Sequence, residues 1–254
     1  MLRLPAAAIL ALALSIPVSR APQRQTPRSA ATLDTIQAGD PRVEATRLQP
    51  FAIERRLTLT RGDTVQPFGR QSESLAPSTH DGRPVLLGVL MFETPRATTV
   101  DSSWLDAATL RPIRMQSSNA ARTIILEFAG DRVRSTTMPS TGANKASDQR
   151  LGVRPFEWNM FGLALSALPL RPGFRAAMPV YTDRFERVVW YRVEVVRETV
   201  LVRSKGHRSP MWEVLATADS VAPSARFWVS QRHRFVDQVR VWEPGMAIMY
   251  DRGL

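Results

Sequence analysis

Three histidines, His80, His207 and His233, are the only imidazoles available for general-base chemistry. Each stands among turn or charged residues, in Thr79-His80-Asp81-Gly82, Gly206-His207-Arg208 and Arg232-His233-Arg234. Such settings predict side chains in solvent rather than tuned bases. No G-x-S-x-G elbow occurs, so the usual α/β-hydrolase signal is missing. A serine hydrolase would need a dispersed triad, with one histidine close to both a serine and a carboxylate. Asp101, Asp106 and Glu127 are the carboxylates weighed for a glycosidase-like acid pair, but acids on a β-rich chain ordinarily face water. No H-E-x-x-H, Asp-rich calcium loop or close pair of histidines is present, so no metal site is expected. Gly142-Ala143-Asn144-Lys145-Ala146-Ser147 is a poor phosphate cradle, because its lysine does not follow a glycine and no apolar strand precedes it. The chain has no cysteine, which removes disulfides, thiolate catalysis, Cys-ligated metals and a diacylated lipoprotein anchor. The expectation is a non-enzymatic protein without cofactor or metal.

The 254 residues carry 34 basic against 23 acidic side chains, a formal charge of +11, and 44% fall in the apolar set. That length and content support a full hydrophobic core. All the basic residues but Lys145 and Lys205 are arginine, scattered singly between apolar residues. A nucleic-acid protein concentrates charge on one stripe or element, so nucleic acid is not an expected partner. Residues 1–21 read as a secretory signal: Arg3 is followed by the apolar run Ala6–Val18, then by small residues at Ser19 and Ala21. The run is shorter than the ~20 residues of a membrane span, so a mature chain without a transmembrane span is expected, exported and most simply periplasmic. Secretion and peripheral attachment to the outer membrane are the other addresses consistent with it. Residues 22–49, rich in Pro, Gln, Arg, Ala, Ser and Thr, read as a flexible tether. Residues 50–254 read as one domain.

Within that domain the pattern is of short extended runs between turn residues. Phe51–Thr60 carries Phe51, Ile53, Leu57 and Leu59; Pro84–Glu93 is continuously apolar; Thr98–Leu105 and Leu110–Ser117 follow. Thr123–Phe128 and Arg132–Thr137 flank Ala129-Gly130-Asp131 as a hairpin. Met138–Arg150 reads as a solvated loop. Pro155–Leu168 places Trp158, Phe161, Leu165 and Leu168 at helical spacing and stops at Pro169-Leu170-Arg171-Pro172-Gly173. Beyond it, Val189, Tyr191, Val193 and Val195 alternate with Arg192 and Glu194 as a half-buried strand does. Trp212, Val214, Ala216 and Ala218 alternate likewise, then Phe227 and Val229, then Val239 and Val241, with a last strand at Met246–Tyr250. Some nine to eleven strands and one mid-chain helix predict a mainly β protein: a curved antiparallel sheet, or incomplete half-barrel, wrapped round one short helix. Trp190 and Trp242 fall on the faces carrying Arg192 and Arg240, which predicts arginine–tryptophan stacking outside the sheet.

The successions Asp106-x-x-Thr109-Leu110-Arg111-Pro112 and Leu126-Glu127-Phe128-x-Gly130-Asp131-Arg132-Val133 resemble an exported bacterial family of unknown function. So do the Phe161–Leu170 segment ending in Leu-Pro-Leu, and Phe227-Trp228-Val229-Ser230 followed by Arg232 and Arg234. That family is related to the periplasmic lipoprotein-carrier half-barrels. The resemblance covers about residues 100–250 and implies a hydrophobic groove able to hold acyl chains, with no catalytic residue set. Combined with strand parity and helical spacing, it makes Met115, Phe128, Phe161, Leu165, Tyr191, Val193, Trp212 and Phe227 the expected groove lining. The expected partner is a lipid or lipoprotein acyl chain, or an envelope protein. The alternative is a structural or interaction module of the cell envelope with a packed core and no ligand.

Overall fold

Alternation of apolar and polar residues runs through most of this chain at a period of two, and the chain answers with strands. A computed structural model describes residues 33–203, 206–218, 224–243 and 245–252; the expected signal segment, and residues 22–32 of the expected tether, lie outside them. Among the described residues fifteen strands form one sheet: β1 (Phe51–Arg61), β2 (Thr64–His80), β3 (Arg83–Glu93), β4 (Thr98–Asp106), β5 (Pro112–Asn119), β6 (Arg122–Ala129), β7 (Arg132–Pro139), β8 (Lys145–Arg150), β9 (Phe156–Glu157), β10 (Arg175–Thr182), β11 (Arg187–Val202), β12 (Arg208–Ala218), β13 (Ser224–Ser230), β14 (Val236–Glu243) and β15 (Met246–Asp251). Their spatial order is β8-β7-β6-β5-β4-β3-β2-β1-β15-β14-β13-β12-β11-β10-β9. Each strand from β1 to β7 pairs antiparallel with the next, as does each from β10 to β14. β9 pairs parallel with β10, as Val180 with Phe156 and Tyr181 with Glu157. The two runs meet where β1 lies antiparallel to β15, with Leu57 opposite Tyr250. β8 and β9 end the sheet, which curves without closing into a barrel.

The helix α1 (Phe161–Ala167) follows a 3-10 turn, Trp158–Met160, and all of its residues but Gly162 are buried. Pro169 stops it, since a proline cannot supply the next helical N–H. Ser166 Oγ donates to the carbonyl of Gly162 at 2.9 Å, so the helix's one hydroxyl needs no outside partner. Phe161, Leu163, Ala164, Leu165 and Leu168 form the main core with Val189, Tyr191, Val193, Val214, Phe227 and Val236 from the sheet. Gly88 on β3 lets this unit approach: a β-carbon there would stand 2.3 Å from Met160 Sδ. Met115, Ile124, Leu126, Val133 and Tyr181 make a second, smaller core between β5–β7 and β10.

Three differences from the sequence expectation have physical causes. The expected tether, 22–49, is a packed segment from Leu33 onward: Ile36, Ala38, Val43, Ala45 and Leu48 are buried in the main core. The backbone of Ile36 donates to Ala177, that of Ala38 to Arg154 and that of Glu44 to Ala167, so this segment prolongs the β9 edge of β10. Second, the expected loop 138–150 contains β8, a strand with almost no apolar residue that rests on its ladder to β7 and on the ion pairs Arg132–Asp148 (2.5 Å) and Arg150–Asp131 (2.9 Å). A charged edge strand of this kind discourages pairing with other chains. Third, β2 reads as polar and carries Pro67 and Pro77, yet its ladders to β1 and β3 override weak strand propensity, with a bulge opposite Leu57/Thr58 taking up the irregularity.

Outside the sheet the expected stacking forms at Trp242, which has Arg226 and Arg240 at 5.6 and 5.4 Å from its ring. Arg226 also holds Glu213 (2.6 Å), which Arg197 covers from the other side (2.7 Å). Among the described residues no helix is long and apolar enough to cross a membrane.

Candidate functional site

On β1 the residues of one parity, Ile53, Arg55, Leu57 and Leu59, all turn inward, so the strand carries a guanidinium into the core with its leucines. Arg55 is 2% exposed. It donates to Gln71 Oε1 at 2.9 Å, to the carboxylate of Glu73, and to the carbonyls of Val236 and Asp237. An unpaired charge at that depth would cost several kcal/mol, so Glu73 and the carbonyls are conditions of its being there. Above this polar floor opens a cavity of about 90 Å³ between the sheet and the helical unit. Leu90 and Phe92 from β3, Phe227 from β13, Val236, Val239 and Val241 from β14 and Tyr250 from β15 form its apolar wall. Trp158, Asn159 and Gly162 close it from the helical side. One polar end and an otherwise apolar wall is the usual layout of a small-molecule site.

The far side of the interior holds acids. Glu157 is buried: its Oε1 accepts from the backbone N–H of Asn159 at 2.7 Å, and its Oε2 from Ser103 Oγ at 2.9 Å. Burial pushes its carboxyl up to about 8, against the pull of those two hydrogen bonds, with Asp101 and Asp183 adding like charge. Asp101, on β4 opposite Ser117 of β5, is pushed up to about 6 by burial, and its Oδ1 has no hydrogen-bond partner. The buried phenol of Tyr181 is raised to about 12 by burial and by Glu186 and Asp183. Glu157 and Tyr181 thus keep their protons at neutrality while Asp101 gives its own up near pH 6, and Glu157 caps the 3-10 turn that leads into α1.

The acids weighed from sequence do not come together. Asp101 faces inward; Asp106 binds its own loop through Thr109 and Ala108; and Glu127 lies outside near Arg114 (3.7 Å) and Arg134 (3.9 Å). Glu157, the buried acid whose carboxyl the charge of Asp101 pushes up, lies in a stretch that reads as helix; an acid set between Phe156 and Trp158 is the signal that marks it. His207 and His233 are exposed, and His80 packs on Trp104 at 5.6 Å beside Asp81. Among the described residues no cluster of three or more metal-ligating side chains occurs.

Of the eight residues expected to line a groove, Phe161, Leu165, Tyr191, Val193, Trp212 and Phe227 lie in the main core, while Met115 and Phe128 belong to the smaller one. Phe161 touches Tyr191 and Phe227 at ring-centre distances of 5.5 and 5.9 Å. Phe227 borders the cavity above Arg55, whereas Leu165 and Val193 are wholly enclosed by neighbouring side chains. Strand parity and helical spacing therefore point to inward residues, but not to which of them border open space.

Comparison with curated proteins finds no match. Among solved structures, the beta-barrel-like protein of domain of unknown function DUF1849 from Brucella abortus aligns with 81% of this chain and 96% of its own, at 13% identity and a TM-score of 0.51. A DUF1329 family protein from Desulfovibrio piger aligns with 82% of this chain and 85% of its own, at 12% identity and a TM-score of 0.29. The first shows a shared fold and nothing about ligand; the second carries no argument. The family model described as protein of unknown function (DUF3108) matches residues 56–244, a span running from the strand that carries Arg55 to the end of β14, and the chain belongs to that family.

Proposed function

We propose that this chain is an exported, non-enzymatic binding protein of the bacterial envelope that holds a small amphiphilic ligand in the cavity above Arg55. The observation that carries the reading is that cavity itself: an apolar wall from four strands ends at a buried cation that makes four hydrogen bonds, beneath a helical unit seated on Gly88. At about 90 Å³ it admits roughly six to nine water-sized groups, enough for a short acyl segment or one ring. A longer acyl chain would enter by displacing α1 from the sheet, and the flexible Met160 contact is the part of that seat easiest to rearrange.

The first test is mass spectrometry of an organic extract from protein purified without detergent from its own host. A near-stoichiometric lipid or fatty acid supports the reading. A second test titrates octanoate while following tryptophan fluorescence, with Trp158→Phe identifying the responding ring and Val239→Trp filling the cavity. Saturable binding that Val239→Trp weakens at least tenfold is expected. A clean extract, together with octanoate binding that is absent or indifferent to Val239→Trp, would refute it. The competing reading, an envelope interaction module with a packed core, draws its support from Leu165 and Val193, which are 0% exposed where a groove was expected.

A further inference from the structure

At one end of the sheet the β2–β3, β4–β5 and β6–β7 connections meet the segment that leads into β9. There they enclose a second cavity, of about 280 Å³, on strands β3–β7 and away from the Arg55 site. Arg83, Arg111 and Arg154 line it, and Phe128 and Pro112 supply an apolar floor. The one acid in the lining is Asp106, whose Oδ1 already accepts from Thr109 N–H (2.9 Å), Thr109 Oγ1 (2.6 Å) and Ala108 N–H (3.2 Å). Among the described residues none of the three arginines has a carboxylate within 4 Å, unlike Arg132 and Arg150 on nearby strands, which hold Asp148 and Asp131. The lining thus carries three cations against one acid.

All three side chains are exposed, and two of them start from anchored positions: the Arg111 stem and the Arg154 backbone. The residue before Arg111 is Leu110, a buried leucine at φ +53°, a conformation that non-glycine residues adopt only at a cost. The hydrogen bonds Leu110 N–H to Asp106 and Asp106 N–H to Arg111 fix that turn at 2.9 Å each, so Leu110 goes into the core while Arg111 goes to the cavity. The stem of Arg111 then lies across Gly39, where a β-carbon would come within 2.8 Å of its Cδ. The backbone of Arg154 is pinned on both sides by the same N-terminal segment: its N–H donates to Gln37 Oε1 (2.9 Å) and its carbonyl accepts from Ala38 (3.0 Å). Backbone strain spent on aiming a charged side chain is characteristic of binding sites. Guanidinium groups converging on one space suit an anion with several acceptor oxygens, phosphate above all.

From this we infer that the cavity binds a phosphate ester whose organic part lies on Phe128. Calorimetric titration with phenyl phosphate and with inorganic phosphate, at low ionic strength, tests it. Phenyl phosphate should bind saturably and more tightly than inorganic phosphate, since only it uses the floor. Arg111→Ala and Arg154→Ala should each weaken it about ten- to a hundredfold, as loss of a charge-assisted hydrogen bond does. Arg122→Ala, an exposed arginine at the other end of β6, should leave it unchanged, and circular dichroism should report all three variants folded. Vesicles of phosphatidylglycerol against phosphatidylcholine separate the sources: retention lost in the Arg111→Ala/Arg154→Ala double variant points to a lipid headgroup, and ester binding without retention to a soluble ester. Absence of saturable phenyl phosphate binding, or binding indifferent to the double variant, would overturn the assignment.

Discussion

Replacing Glu157 with glutamine should stabilise the protein at neutral and alkaline pH and leave its stability in acid nearly unchanged. The carboxyl is buried, takes hydrogen bonds from Asn159 N–H and Ser103 Oγ, and holds its proton up to about pH 8 against an ordinary 4.5. Folded protein therefore binds this proton more tightly than the unfolded chain does. Its contribution is fully present below pH 4.5, shrinks as the pH rises, and is exhausted above about 8. At ~1.36 kcal/mol per pH unit, the full span from 4.5 to about 8 comes to roughly 5 kcal/mol, of which roughly 3 has gone by pH 7. Glutamine reproduces the neutral acid: its carbonyl can accept from Asn159, and its amide can donate to Ser103 Oγ. Urea unfolding of both proteins at pH 4.5, 7 and 9 measures the difference, and at pH 7 the melting temperature should rise by about 6 to 12 °C. Some pH dependence will persist in the variant between 3.8 and about 6, where Asp101 loses its own proton. Two stability profiles that stay parallel from pH 4.5 to 9 would show that Glu157 is ionised in the folded protein, and would refute the reasoning.

Arg55→Leu should destabilise the protein by about 3 to 5 kcal/mol in urea unfolding, because it strands Glu73 beside the cavity; Arg55→Leu/Glu73→Leu should recover part of that loss. Gly88→Ala puts a β-carbon 2.3 Å from Met160 Sδ and should cost about 1 to 3 kcal/mol, a loss that Met160→Ala in the same chain should not add to in full. A chain beginning at Phe51 loses Ile36, Val43, Ala45 and Leu48 from the core, and should bind a dye for exposed apolar surface that a chain beginning at Leu33 does not.

How far the chain could be read depended on what the period-two signal contained. β11 was legible because Val189, Tyr191, Val193 and Val195 fill every inward place. β1 was legible too, yet its inward row has arginine where an apolar residue is expected, and that exception marks the candidate site: Arg55 and its partner Glu73 sit on adjacent strands with nothing local to pair them in sequence. β2 and β8 could not be read, since their existence rests on ladders to neighbours rather than on their own residues. The smaller acidic interior was hidden for the same reason. Asp101 and Glu157 are 56 positions apart (157 − 101) and come together only through the curvature of the sheet. Leu110 had no signal at all, because a strained turn at a leucine is imposed by what surrounds it.

The meeting of β1 and β15 bears on the order in which this molecule assembles. Among the described strands β1–β8 and β10–β15 form two meanders, each built from hairpins that a short stretch of chain can close for little entropy. The β1–β15 ladder pairs Leu57 with Tyr250, 193 positions away (250 − 57), so it gains nothing until both meanders stand. Folding should thus run as two local nucleations followed by one slow zipping step. Substitutions at the interface of β1 with β15 would speed unfolding far more than they slow folding.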